Sequence, residues 1–137
     1  MIIDATDLIA GRMASFVAKK ALLGETIDIV NCENAIITGN KDQIFAKYKN
    51  KRNRGIPTKG PFLPAMPDMF VKRIIRGMLP YKREKGRVAF KKVKCHIGVP
   101  DEFKDKKFET VAKTNITKVR SLKYIKIEDI CEELIKK

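Results

Sequence analysis

Four side chains in this sequence have the types that bind zinc or act as nucleophiles: Cys32, Cys95, His96 and Cys131. Three cysteines and one histidine are enough for a Cys3His site, but no two cysteines have the two-to-four-residue spacing that structural zinc sites use. Adjacent residues of a strand point to opposite faces, so Cys95 and His96 would not converge on one metal ion. We therefore expect no metal site. An odd number of widely spaced cysteines also argues against a disulfide framework and is typical of a reducing compartment.

Enzymatic chemistry has few candidate groups. His96 is the only imidazole, so a serine or cysteine nucleophile would have one possible base, on a segment that looks like a core strand. Neither the dinucleotide fingerprint nor the phosphate-binding loop occurs, and Ile9-Ala10-Gly11-Arg12 offers a single glycine. A small α/β nucleotide-binding enzyme stays open as an alternative, but we expect no catalytic residues, no cofactor and no small-molecule substrate.

The basic residues are the stronger signal. The chain has 30 Lys and Arg against 16 Asp and Glu, a net charge of +14, and residues 41–94 carry 17 of these cations against 3 acids. Self-repulsion in a nearly single-sign segment costs stability unless a counter-charge is present, which predicts a polyanionic partner. The cations expected to contact nucleic acid are Arg12, Lys41, Lys47, Lys49, Lys51, Arg52, Arg54, Lys59, Lys72, Arg73, Arg76, Lys82, Arg83, Lys85, Arg87, Lys91, Lys92 and Lys94.

The motifs that the sequence lacks indicate which kind of nucleic acid the chain is expected to bind. No RNA-recognition strand motif, zinc finger or basic zipper is found. A rigid domain with a basic platform and an irregular basic loop suits a large folded RNA, which is read through its shape, phosphates and 2′-hydroxyls. A basic DNA-binding protein is the second alternative. Phe62, Tyr48 and Tyr81 lie among the cations and are candidates for stacking on bases, although Tyr48 is equally suited to a core.

Membrane and secretion signals are not evident. The longest run without a charged residue is residues 60–67, which contains three prolines, whereas a bilayer-spanning helix needs about 20 apolar residues. The amino terminus lacks the basic start and apolar stretch of a secretory signal. We expect no membrane partner and a cytoplasmic location.

The elements that must position these residues follow an α/β order. A strand at residues 1–5, a helix capped by Thr6 and a strand at residues 26–31 predict a βαβ unit, which produces parallel pairing. A short extended piece at residues 35–38 follows, whose pairing the sequence does not indicate. Further helices are predicted at residues 41–51, 68–79, 86–92 and 128–137, and further strands at 93–98 and 124–127. Residues 50–66, with two glycines and three prolines, have no helical or strand period and are expected to order on a partner.

The helix at residues 68–79 shows the clearest division into two faces. Its apolar half is predicted to contain Phe70, Val71, Ile74, Ile75, Met78 and Leu79. Lys72, Arg73 and Arg76 occupy the other half. The helix at residues 86–92 repeats this design, with Arg87, Lys91 and Lys92 directed outward. One face of each helix is therefore predicted to pack in the core and the other to be cationic.

Short motifs distributed over nearly the whole chain occur in a characteristic order: Asp4-Ala5, Gly11-Arg12, Ile29-Val30-Asn31, Thr38-Gly39-Asn40-Lys41, Arg76-Gly77-Met78-Leu79-Pro80, Gly86 and Val93-Lys94. In this order they resemble the large-subunit ribosomal protein L thirteen family, and Arg-Gly-Met-Leu-Pro is the most specific of them. Gly60-Pro61-Phe62, Met66-Pro67 and the carboxyl-terminal Lys123-Tyr124-Ile125-Lys126-Ile127 resemble the archaeal and eukaryotic branch. His96 departs from the aromatic residue that the resemblance leads us to expect.

The resemblance implies one three-layer α/β/α domain over residues 1–137, built on a small, mainly parallel four-stranded sheet with a basic central loop. It implies a structural constituent of the large ribosomal subunit that binds and stabilises large-subunit ribosomal RNA and has no catalytic role. The expected partners are this RNA and neighbouring large-subunit ribosomal proteins.

Overall fold

The strand, helix, strand opening predicted from the sequence is present in the computed structural model, which describes residues 1–111 and 113–136. In that part of the chain the helices and strands are, in order, β1 (Ile2–Asp4), α1 (Ala10–Leu22), β2 (Ile27–Val30), β3 (Ile36–Thr38), α2 (Lys41–Asn53), α3 (Pro67–Met78), α4 (Glu84–Lys91), β4 (Val93–Cys95), β5 (Tyr124–Lys126) and α5 (Ile127–Ile135). Short 3-10 helices at Cys32–Asn34, Asp101–Phe103 and Ile116–Lys118 connect them.

The main sheet is parallel and has the order β1-β2-β4. Ile3 lies opposite Ile29, and Ile29 lies opposite Cys95. Glu109 adds a single parallel bridge beyond β1: its amide donates to the carbonyl of Ile2 at 2.8 Å, and its carbonyl accepts from the amide of Asp4 at 3.2 Å. The predicted α/β class with a small, mainly parallel sheet is confirmed. In place of the expected fourth strand, the sheet has the one-residue bridge at Glu109.

The short segment whose pairing the sequence did not indicate forms a separate ribbon. β3 pairs antiparallel with β5, with Ile37 opposite Ile125. The amide of Ile127 then donates to the carbonyl of Ala35 at 2.9 Å, which ties the start of α5 to the same ribbon. Because the partner strand lies near the carboxyl terminus, no local pattern around residues 35–38 could have identified it.

The core lies on one face of the sheet. Alternation along the strands places Ile3, Ile27, Ile29 and Val93 on this face, and all four are fully buried. They form one cluster with residues of α1, α3, α4 and α5, namely Met13, Val17, Phe70, Val71, Ile75, Ala89, Ile130 and Leu134. Burial of this apolar surface is the main contribution to the stability of the fold.

The opposite face of the sheet is covered by the chain that follows β4. His96 Nε2 lies 3.2 Å from Asp28 Oδ1, and the Phe103 ring meets the His96 ring edge-on at 5.5 Å. Phe103 belongs to the 3-10 helix Asp101–Phe103 and is buried. The layer on this side is therefore a short 3-10 helix and an extended chain.

The predicted start of the first helix is wrong by about one turn. α1 begins at Ala10 with Ile9 as its N-cap, and Thr6 does not cap it. The Thr6 hydroxyl donates instead to Asp4 Oδ1 at 2.7 Å, and Asp7 has a left-handed backbone with φ 57°. The hydrogen bond back to the end of β1 uses the threonine locally, as short hydroxyl side chains commonly do.

The predicted irregular segment is shorter than residues 50–66, because α2 continues to Asn53. Residues 54–60 form a turn held by local bonds, including that from the Gly60 amide to the Ile56 carbonyl at 2.9 Å. Leu63 and Ala65 pack against the core before α3 begins. The segment is therefore attached to the fold by α2 at one end and by the packing of Leu63 and Ala65 near the other, and the turn at residues 54–60 is held by local bonds.

Candidate nucleic-acid interface

The cations predicted to bind nucleic acid lie on the surface. Arg52, Lys72, Arg76 and Lys92 are half-buried, and all the others are exposed. The sequence predicted these residues on polar faces of helices and in a loop, and the structure places them at the surface, although one guanidinium nitrogen of Arg52 is buried without a hydrogen-bond partner.

This positive charge has no internal counterpart. The ion pairs in the described residues join Lys20 to Glu25, His96 to Asp28 and Lys104 to Asp101. None of them includes a cation from residues 41–94, where acids are scarce in the first place. The repulsion within this segment is thus left for an external anion to relieve.

Two cations of α3 lie over aromatic rings. The Lys72 ammonium lies 5.3 Å from the centre of the Phe90 ring, and the Arg76 guanidinium lies 4.8 Å from that of Tyr81. These distances are within the range of cation–π attraction. Because rings restrain these half-buried side chains, less conformational freedom is left to lose when they bind a phosphate.

Three other cations meet in a groove between the end of α2, the following extended chain and α3. Its volume is about 360 Å³. We call it the basic groove, and its lining residues are Tyr48, Lys51, Arg54, Pro61, Phe62, Leu63, Phe70, Arg73, Ile74 and Gly77. Arg73 of α3 is thereby brought to the same site as Lys51 and Arg54, which lie about 20 residues earlier in the chain.

A second group consists of Lys91, Lys92 and Lys94, which line a shallow depression at the end of α4. Lys92 has a structural role as well: its ammonium donates to the carbonyl of Gly24 at 3.0 Å, just beyond the carboxyl terminus of α1. A cation at this negative end of a helix dipole is favourable. Lys91 and Lys94 are exposed, so they are the freer members of the group.

Other predicted residues do not join either group. Lys49 and Arg52 lie on the side of α2 that faces Glu133 of α5, and Arg12 lies in the first turn of α1. Lys41 lies over the ring of Phe45, within its own helix. The predicted cations are therefore spread over several faces of the molecule.

The predicted apolar face of α3 is wrong at two positions. Phe70, Val71 and Ile75 are buried as predicted, but Ile74 is half-buried and lines the basic groove, and Met78 is exposed. The predicted apolar face of α3 included too many residues, because a helical wheel uses only side-chain type. An apolar residue at the edge of this face can line a surface groove instead of the core. Leu63 and Gly77 also line the groove, and the sequence did not indicate this because neither residue carries a charge or a ring.

The edge where α/β enzymes bind ligands is occupied by internal hydrogen bonds. Asp4 Oδ1 accepts from the Asn31 side chain at 3.0 Å and from the Thr6 amide at 3.0 Å. Burial opposes ionisation of Asp4, but the hydrogen bonds from Asn31 and Thr6 outweigh it and lower the pKa of this carboxyl. Glu33 accepts from the Gly98 amide. The polar groups at the carboxyl ends of β1, β2 and β4 thus bind one another.

The cysteine and histidine side chains are either separated from one another or hydrogen-bonded to other groups of the protein. A hydrogen bond with Cys95 and burial raise the pKa of Cys32, and burial raises the pKa of Cys131 to about 12, so both thiols are protonated at neutral pH. Protonated thiols are poor nucleophiles and poor metal ligands. Over residues 1–111 and 113–136 we find no group of three His, Cys, Asp or Glu side chains arranged to hold a metal ion. In the same residues, no helix has the length and apolar character needed to cross a bilayer.

Comparison with known proteins identifies the family. Residues 1–102 match the model of the family described as ribosomal protein L13. The chain belongs to the ribosomal protein L13 family. The large ribosomal subunit protein uL13 of Methanococcoides burtonii is 44% identical over 133 residues, which cover 97% of this chain and 96% of that protein.

Other archaeal members of the L13 family are similarly close. The uL13 of Methanococcus maripaludis is 51% identical over 105 residues, covering 74% of this chain and 77% of that protein. The uL13 of Haloarcula marismortui is 42% identical over 134 residues, covering 98% and 90%. The resemblance stated from the short motifs is confirmed.

Proposed function

We propose that this L13-family protein is a structural constituent of the large ribosomal subunit that binds and stabilises large-subunit ribosomal RNA through the cations of residues 41–94. We further propose that its partners include neighbouring ribosomal proteins, that it is located in the cytoplasm and that it has no catalytic role. The RNA interface is supported by the positive charge of this segment, which lies at the surface and forms no ion pair within residues 1–111 and 113–136. Phosphates are the anions that such a surface binds most readily.

We also propose that residues 1–137 act as one domain. The core supports this, because its single cluster draws on residues from Ile3 in β1 to Leu134 in α5. The two alternatives lack comparable support. A nucleotide-using enzyme would need open polar groups at the strand ends, where Asp4 and Glu33 are already engaged, and a DNA-binding protein would need an element shaped for the major groove.

The test is the salt dependence of RNA binding. If about 6 to 10 of the cations reach phosphates, the logarithm of the association constant with a large-subunit RNA fragment should fall against the logarithm of salt with a slope on the order of −4 to −9. The Lys91→Ala, Lys94→Ala double variant should weaken binding and make this slope shallower by up to about 2. Both lysines are exposed, so the melting temperature should stay within a few degrees of wild type.

The matched control is the Lys118→Ala, Lys123→Ala double variant, which removes two exposed lysines outside the basic segment. It should change the slope less than the first pair does. A wild-type slope near −1, or equal effects of the two pairs, would contradict the assignment of residues 41–94 as the RNA-binding surface.

A further inference from the structure

The basic groove combines an apolar floor with a positively charged rim. The Tyr48 ring packs on the Phe70 ring with centres 5.0 Å apart, and Ile74 lies beside them in the lining. Phe70 is buried, whereas Tyr48 and Ile74 are half-buried and so still present apolar surface to the groove. This floor therefore offers apolar surface on which a flat apolar group can pack.

Phe62 forms the exposed wall. Its side chain is 65% exposed, more than that of any other phenylalanine in the chain. The ring lies against Gly60: a Cβ at Gly60 would come within 3.1 Å of it. The ring is thus supported from behind by a residue without a side chain and presents surface to an incoming group.

The rim carries one sign of charge. Lys51, Arg54 and Arg73 line the groove, and no carboxylate does. The Lys51 ammonium lies 5.4 Å from the centre of the Tyr48 ring, which places it directly beside the aromatic floor. An occupant that satisfies both parts must combine a flat apolar ring with negative charge at its edge, and a nucleotide does so.

Gly77 supplies an independent observation. It lies inside α3, where glycine is less favourable than alanine by roughly 1 kcal/mol. Apart from its chain neighbours and the adjacent backbone of α3, no atom of the described residues lies within 4 Å of the position that its Cβ would take. Packing within the chain therefore does not require glycine here, whereas close approach of a ligand to the helix backbone would.

We propose that the basic groove binds one unpaired nucleotide of RNA. The base stacks on Phe62 and covers the floor at Tyr48 and Ile74, its phosphates bind Lys51, Arg54 and Arg73, and the ribose approaches the backbone at Gly77. A volume of about 360 Å³ is of the size that one nucleotide fills. The inference rests on the proposed RNA-binding function and specifies the form of RNA that this groove takes.

The first experiment uses tryptophan as a reporter. The chain has none, so Phe62→Trp introduces a single fluorophore at the groove and Leu122→Trp, at a side chain 90% exposed, serves as the control. The probes are a short single-stranded RNA, the same strand with abasic sites, a blunt RNA duplex and an acidic peptide containing phenylalanine. Stacking of a base on indole quenches its emission, so we expect quenching of Phe62→Trp by the first probe alone.

Three outcomes of this experiment would overturn the proposal. Equal quenching by the abasic strand or the duplex would mean that the groove binds phosphate without a base. Stronger quenching by the acidic peptide would mean that its occupant is a protein. Quenching of Leu122→Trp to the same extent would also count against a site located in the groove.

The second experiment measures affinity for a ribosomal RNA fragment with unpaired nucleotides. Phe62→Ala should lower the affinity about 5- to 100-fold, as expected for the loss of one stacked base, and should leave the affinity for blunt duplex RNA unchanged. Gly77→Ala should keep or raise the melting temperature while lowering affinity for the fragment. A wild-type chain that binds no RNA would refute the proposed function itself. Tight, salt-dependent binding that neither variant alters would refute the nucleotide site alone.

Discussion

At the scale of single residues, Ile74 and Ile75 show how adjacent positions of one helix differ. Ile75 is fully buried in the core, whereas Ile74 is half-buried in the basic groove. Ile75→Ala should lower the free energy of unfolding by about 2 to 5 kcal/mol, because it removes buried methyl groups and leaves a cavity. Ile74→Ala should cost clearly less. Urea unfolding of both variants checks this, and equal losses would mean that the assigned orientation of α3 is wrong.

Asp4 gives a prediction about pH. Its pKa in the folded protein is lowered below the ordinary value of 3.8, so its ionised form stabilises the fold above that value and this contribution is lost as the pH falls through the folded pKa. Thr6→Val removes the 2.7 Å hydroxyl bond to the carboxylate and should raise the pKa of Asp4 toward 3.8.

An NMR titration of the Asp4 carboxyl carbon measures this directly. Thr58→Val, at an exposed threonine in the turn after α2, should leave the Asp4 titration unchanged. A pKa of Asp4 that is identical in wild type and Thr6→Val would show that the hydroxyl bond contributes nothing to it.

At the scale of elements, the close approach of α4 to the preceding turn depends on Gly86. This glycine is buried, and a Cβ there would collide with the carbonyl of Pro80. Backbone atoms on both sides of the contact leave little room for adjustment. Gly86→Ala should therefore lower the free energy of unfolding by about 1 to 3 kcal/mol, although alanine is intrinsically the better helix former. Thermal melting checks this, with Gly77→Ala as the matched glycine in open space. A Gly86→Ala protein at least as stable as wild type would contradict the contact.

At the scale of the whole molecule, the carboxyl-terminal part completes the fold. The family match ends at residue 102, but Ile125, Ile127, Ile130 and Leu134 belong to the same buried cluster as β1 and α1. β3 also has its partner in β5. A chain ending at residue 102 should consequently lose cooperative thermal unfolding, because it exposes this apolar surface and leaves β3 unpaired.

Circular dichroism during heating tests the truncated chain, and a peptide of residues 103–137 added in trans is the control. Recovery of a cooperative transition on adding the peptide would attribute the loss to missing contacts. A truncated chain that melts cooperatively near the wild-type temperature would show that the amino-terminal 102 residues form the stable unit.

Much of the fold could be predicted because local signals dominate in several elements. Pro67 starts α3 at its first position and Pro80 lies just beyond its end, and both effects come from the fixed ring geometry of proline. Asn40 caps α2 by accepting from the Asp42 amide, and asparagine is among the residues most favoured at this position. The single-sign charge of residues 41–94 likewise needed no structure to be noticed.

Only the tertiary structure decided which distant segments meet. β3 pairs with a strand near the other end of the chain, and Thr6 turns back to Asp4 instead of capping α1. In the basic groove, Lys51, Phe62 and Gly77 come together because Tyr48 of α2 packs on Phe70 of α3 and Leu63 packs against the core. Local propensity and helical period act over a few residues, whereas these contacts depend on how the apolar faces of separate elements pack together, and no short window of sequence contains that information.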